Sequence, residues 1–219
     1  MGILLTSFSN VSDVKRLNDS STFLNLLFMN TEKRSQMKIT SISKDVIALK
    51  GFDERGCFGC DCKDSCCRFG ADFDKESYEL LLEHRELVEE QTKVKIEDCF
   101  LDWSGDPLFL GGNSIESKLH NGTCIFHNRE GKGCILFGLA IKHGLDRRIV
   151  PSTCRLFPVT WDKTKLVAYP ELKIKEMPDI PKDCNVFEKQ NKTTKSLLQT
   201  QASEIKDIFG DVDLDLPSS

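Results

Sequence analysis

At 219 residues the chain can bury one hydrophobic core with sequence to spare, so it does not need disulfides or metals merely to fold, as a mini-protein would. Its 30 basic and 34 acidic residues give a formal net charge of -4 and a pI near 5.7, and they are interspersed. The absence of a basic stripe argues against a nucleic-acid partner. The 10 cysteines are many for this length, and half of them fall between Cys57 and Cys67. Such crowding means a disulfide framework in a secreted chain or metal ligation in a cytosolic one.

The first 36 residues bear on that choice. Ile3-Leu4-Leu5 is broken at once by Thr6-Ser7, and the run from Phe23 to Met29 is short and contains Asn25, so neither reads as a secretory signal. No stretch approaches the roughly 18 apolar residues of a transmembrane helix. The expectation is a cytoplasmic, reduced protein with no membrane partner. Asn121-Gly-Thr and Asn191-Lys-Thr then match glycosylation acceptors only by chance. Residues 1–36 carry no cysteine or histidine and read as an N-terminal extension. Met37, where a coherent pattern begins, could itself be a start.

Further along, residues 37–50 alternate in two places around Ser43-Lys44-Asp45, which predicts two short strands and a turn. The cysteine-rich loop occupies Gly51 to Gly70. Asp74 can cap a helix running to about Gln91, with Tyr78, Leu81, Leu82, Arg85 and Val88 on one face. Glu79, Glu83, Glu86, Glu89 and Glu90 form its solvated side. Residues 102–123, with Gly105, Pro107, Gly111, Gly112 and Gly122, read as loop. Within them, Asp102 to Pro107 suits a turn packed under the Trp103 indole better than a site. A helix from Ile135 to His143 should end on Gly144. Val159–Trp161 and Leu166–Tyr169 predict a hairpin. Beyond Cys184 the chain turns polar, with a helix over Ser196–Phe209 and a tail from Asp211. The implied organisation is an extension (1–36), a cysteine-cluster domain (37–190) and a polar C-terminal helix and tail (191–219). The implied fold is α+β, with short helices and a small antiparallel sheet or hairpins around cysteine-rich loops.

The cysteines run Cys57-x4-Cys62-x3-Cys66-Cys67, with Cys60 inside the first gap, followed by Cys124, Cys134, Cys154 and Cys184. Thiolates are soft ligands that favour zinc, copper(I) or iron–sulfur clusters. A short loop gathers sulfurs at little entropic cost, and Gly56, Gly59 and Gly70 let the backbone wrap a metal. Lys63, Arg68 and Arg155 could offset thiolate charge. Neighbouring side chains diverge in an extended chain and do not share a helix face, so Cys66 and Cys67 should serve different metals or different corners of one cluster. Cys134 precedes a helix, whose N-terminus favours a thiolate. Cys60 and Cys99, as isolated positions, suit small buried apolar side chains. His127, three residues after Cys124, has a spacing known among zinc ligands. Without a His-rich motif, it and His120 and His143 read as surface or supporting histidines. No nucleotide loop, serine elbow or His-Glu-x-x-His occurs.

Three motifs in order carry a resemblance: Cys57-Phe-Gly-Cys-Asp-Cys-Lys-Asp-Ser-Cys-Cys-Arg68, then Cys124-Ile-Phe with Gly133-Cys134-Ile, then Pro151-Ser-Thr-Cys-Arg-Leu-Phe-Pro158. Over about Met37 to Tyr169 the chain resembles the YkgJ-type cysteine-cluster proteins, zinc- or iron-chelating domains named for Cys-x2-Cys-x2-Cys-Cys. Three residues, not two, separate Cys62 from Cys66, as in a sister branch, which weakens Cys60 as a ligand. The better-understood relatives resemble flagellin lysine methylases that carry an iron–sulfur cluster. The resemblance implies a 4Fe-4S cluster or zinc on Cys57, Cys62, Cys66, Cys67, Cys124, Cys134, Cys154 and Cys184. The metal centre would support redox chemistry or modification of a protein substrate. The competing readings are a zinc-stabilised binding module without a reaction and a metal storage or delivery protein.

Overall fold

Small polar residues start several of the helices. Ser43 accepts the Val46 N–H at 3.2 Å and begins α1 (Lys44–Ile47). Asp74 accepts the Ser77 N–H at 2.9 Å and begins α2 (Lys75–Glu83). Ser196 forms a reciprocal capping box with Gln199 at the head of α6 (Leu197–Thr200). In the computed structural model the described residues are 37–53, 62, 64–107, 109–169 and 185–212, all within the unit Ser35–Ser219. The fold is α+β.

Three small sheets accompany seven α-helices among the described residues. In the first, β8 (Lys165–Ala168) is central. It pairs antiparallel with β7 (Val159–Asp162) and parallel with β1 (Ser41–Ile42). In the second, β4 (Ser114–Ser117) lies between β2 (Asp72–Phe73) and β3 (Phe100–Ser104), all antiparallel. The third is the pair β5 (Leu119–His120) and β6 (Thr123–Cys124).

Two apolar cores result. One gathers Phe73, Leu81, Val88, Phe100 and Leu136 from α2, α3 (Arg85–Thr92), α4 (Ile135–His143) and the second sheet, together with Ile96 of the 3-10 helix Ile96–Cys99 and Phe126 just after β6. The other packs Val46, Leu49, Leu156, Leu166 and Leu197 against Ile205, Ile208 and Phe209 of α7 (Ala202–Phe209). The short α5 (Ser152–Leu156) stands at their junction. Cys154 packs on the first core, Leu156 enters the second, and Phe157 joins Cys62 and Val186 in a small third cluster.

Several elements depart from the sequence expectation. The second strand expected within 37–50 is the single turn α1, because the Ser43 cap closes it and Val46 is fully buried. The long helix after Asp74 breaks at His84 (φ -108°, ψ 27°) into α2 and α3. Residues 102–123, expected as loop, supply most of β3, all of β4 and β5, and the first residue of β6. Their alternation was hidden for two reasons. β3 exposes four of its five residues, and β4 buries two serines where apolar residues would mark a strand. The hairpin and the helix ending on left-handed Gly144 lie where the sequence places them, whereas the single helix expected over Ser196–Phe209 is broken at Gln201 (φ -107°, ψ 8°) into α6 and α7. Among the described residues no helix is long and apolar enough to cross a membrane.

Candidate metal centre

Asp64 adopts the left-handed conformation (φ 52°, ψ 33°), which aspartate tolerates better than most residues, and turns the chain into a 3-10 helix over Ser65–Cys67. The Cys67 N–H closes that turn on the Asp64 carbonyl at 2.8 Å. Cys67 is thereby buried and Cys66 half-buried. Their sulfurs lie 3.9 Å apart, which corrects the expectation that adjacent thiols diverge. The tight turn with its left-handed entry is neither extended nor α-helical, so neither geometry assumed in that expectation applies. Two thiolates on one tetrahedral ion, at metal–sulfur distances of ~2.3 Å, stand about 3.8 Å apart.

The other cysteines arrive from separate elements. Cys124 ends β6, with its sulfur 3.3 Å from the Ser117 hydroxyl on β4. That hydroxyl already accepts the Ala71 N–H at 2.8 Å, so its own proton can be directed at the sulfur. Cys134 immediately precedes α4 and bridges His127 across the loop. The N–H groups of Leu136 and Phe137 act on its sulfur in the direction that favours thiolate. Cys154 lies in α5, whose start is held by the Asp74 carboxylate. Asp74 accepts the Ser152 hydroxyl at 2.8 Å while capping α2.

Cys62, Cys66, Cys67, Cys124, Cys134 and Cys154 line one chamber of about 50 Å³. One water centre needs only ~10–15 Å³, so the chamber has room for several atoms. Its remaining wall is mostly apolar, including Phe73, Phe126, Leu136 and Val150, with Asp64 and Lys132 also lining it. Burial pushes the thiols of Cys124, Cys134 and Cys154 up, and neighbouring sulfurs add to the push. Cys154 feels Cys134, Cys124 and Cys67, and Cys134 feels Cys67 and Cys124, so these four sulfurs are electrostatic neighbours. They cannot all ionise in such surroundings without a nearby cation. Among the described residues no three Cys, His, Asp or Glu side chains stand close enough to hold a single ion, and the sulfurs instead line the chamber wall.

Cys57, Cys60 and Cys184 lie outside the described residues, as does Lys63. Cys99 is buried in the first core and does not line the chamber. Its S–H donates to the Lys95 carbonyl at 3.3 Å, and burial, with nearby Asp98, pushes its thiol up to about 12. His120 and His143 are exposed. His127 instead meets the Asp64 carboxylate at 3.1 Å. Arg155, expected to offset thiolate charge, turns away to Glu204 and Asp207 of α7. Sequence reasoning missed Asp64 and Ser117. The one available signal for Asp64 was a residue that tolerates left-handed backbone inside a cysteine loop, and a lone buried serine such as Ser117 has none.

A second, more open cavity of about 380 Å³ shares Cys66 and Cys154 with the chamber. Phe69, Phe157, Trp161 and Tyr169 contribute its aromatic walls. Asp72, Asp106, Asp162 and Lys163 contribute charge, and burial raises the Asp72 carboxyl, with Glu116 and Asp106 adding to the effect. No protein-family model, curated protein or solved structure matches the chain.

Proposed function

We propose that this chain is a cytoplasmic metal protein in which Cys67, Cys124, Cys134 and Cys154, with Cys62 and Cys66 beside them, hold an iron–sulfur cluster. The observation that carries the reading is that six thiols from four separated stretches of chain line one chamber. The donor set fits the group. Sulfur is a soft ligand, and cluster sites are commonly built from four cysteines with hydrogen bonds to the sulfurs tuning them. Ser117 and the start of α4 supply such donors here. Six sulfurs exceed the four that one tetrahedral ion takes, which favours a polynuclear centre. When bound, the cluster would supply one-electron chemistry. The adjoining cavity, which shares Cys66 and Cys154 with the chamber, offers a route for a reacting group, such as a side chain of a protein substrate, to approach the centre. This supports redox chemistry or protein modification over a purely structural role, and agrees with the resemblance to the YkgJ-type proteins and their methylase relatives.

One observation favours a second reading, a zinc site: the 3.9 Å separation of the Cys66 and Cys67 sulfurs suits two ligands of one ion. Anaerobic purification followed by iron, sulfide and zinc analysis and a visible spectrum separates the two. A brown protein with iron and sulfide in equal amounts supports the cluster. A colourless protein with stoichiometric zinc supports the binding-module or storage reading. A protein with no bound metal refutes both.

A further inference from the structure

Asp64 stands between Cys62 and Cys66, and its carboxylate leaves its own loop to reach the next cysteine-bearing segment. Oδ1 accepts the Gly133 N–H at 3.0 Å, one residue before Cys134. Oδ2 lies 3.1 Å from His127 Nε2, three residues after Cys124. His127 in turn donates its backbone N–H to the Cys124 carbonyl at 2.9 Å and is bridged to Cys134. The Asp64 carbonyl closes the turn that presents Cys66 and Cys67. Asp64 and His127 side chains are only 22% and 19% exposed, so water competes weakly for these bonds.

We propose that Asp64 is a positioning residue that staples the Cys62–Cys67 loop to the Cys124–Cys134 loop and so sets the sulfur geometry of the metal centre. The inference rests on the metal-centre reading above. Among the described residues the two loops share no strand pairing, so contacts of this kind help to set their register. The Gly133 N–H and the His127 ring meet a single carboxylate, and both flank residues that line the chamber. Without it, the two loops can slide relative to each other while each keeps its local fold. The expected consequence is a centre that still assembles but holds its metal poorly.

The left-handed backbone decides which variants are informative. Asp64→Ala would strain the turn and confuse the result, because alanine resists positive φ. Asp64→Gly removes the carboxylate and keeps the turn. Asp64→Asn tolerates the turn, and can accept from Gly133 through its oxygen and donate to a neutral His127 ring through its amide. His127→Ala removes one arm from the other side. The full chain, loaded anaerobically with iron(II) and sulfide or with zinc alone, is challenged with excess chelator, and its visible or magnetic-resonance signature is recorded. Far-UV circular dichroism confirms that each variant is folded.

Asp64→Gly is expected to lose metal ~10-fold or more faster than wild type with an altered signature, within the ~10–100-fold typical of residues that support metal ligands. Asp64→Asn should stay within about threefold of wild type, and His127→Ala should fall between. A folded Asp64→Gly with wild-type metal retention and signature overturns the staple. So does an Asp64→Asn as poor as Asp64→Gly, because the hydrogen-bond geometry would then not be what matters. If Asp64→Gly fails to fold, His127→Ala decides: faster metal loss upholds the staple, and unchanged retention overturns it. A wild-type chain that binds no metal is a different result, which removes the metal-centre reading itself.

Discussion

Replacing Arg155 by methionine should destabilise the protein by about 2 kcal/mol. The Arg155 side chain is 4% exposed and donates through Nη1 to Glu204 Oε2 at 2.9 Å and to Asp207 Oδ2 at 2.7 Å. Two such charge-assisted bonds are worth ~1.5–3 kcal/mol each in net terms. Three features reduce the loss. Glu204 keeps Arg147 at 2.7 Å, Asp207 is 38% exposed and can turn to water, and methionine refills much of the volume with apolar atoms. Glu204→Ala should cost more, about 3 kcal/mol, because arginine cannot shed its proton and would remain buried with one partially exposed partner. For a chain of this size about 2 kcal/mol corresponds to a fall of roughly 4–8 °C in Tm. Urea unfolding can be followed by the fluorescence of Trp161, which packs edge-on against Phe209 of α7 at 5.5 Å and so reports the docking of that helix. An Arg155→Met protein within about 0.5 kcal/mol of wild type, or a Glu204→Ala protein more stable than Arg155→Met, would refute the reasoning.

Cys67→Ser should lose most of its bound metal while Cys66→Ser retains more. Cys67 is buried among Cys124, Cys134 and Cys154, whereas Cys66 also faces the second cavity, and metal analysis of the two variants reads the difference. Gly70→Ala places a Cβ 2.4 Å from the Ser117 carbonyl oxygen and should destabilise by ~1–3 kcal/mol, lowering metal retention because Ser117 supports Cys124. Acid unfolding tests the surface pairs. Glu97 is held down to about 2 by its hydrogen bond to Arg85, and Asp146 to about 2 by Arg148. Both folded values lie below the ordinary ones, 4.5 and 3.8, so their contribution is full above those values and disappears as pH falls towards 2. Stability measured from pH 5 to pH 2 should therefore fall less steeply in Glu97→Gln than in wild type, and an unchanged slope would contradict the pairing.

The sequence by itself determined the features that depend on neighbouring residues. Asp74 as a cap, Gly144 as a helix stop, and the β7–β8 hairpin around Asp162 to Lys165 follow from local hydrogen bonding and periodicity, and the structure has each of them. The crowding of thiols and their softness as ligands are equally visible in the linear chain. Tertiary structure decided what depends on distant partners. β3 and β4 are strands because they pair with each other and with β2, although one is largely exposed and the other buries serines. Arg155, beside a cysteine in sequence, faces α7 because the junction of two cores points its side chain there. Asp64 reaches across to His127 and Gly133 only once two loops about 65 residues apart are brought together by the packing of Phe73, Phe100 and Phe126, whose rings contact one another at 5.0 to 5.6 Å. Hydrogen-bonding capacity and softness are properties of a residue and are written in the chain. The distance and direction at which two residues meet are properties of the packed core, and no local pattern contains them.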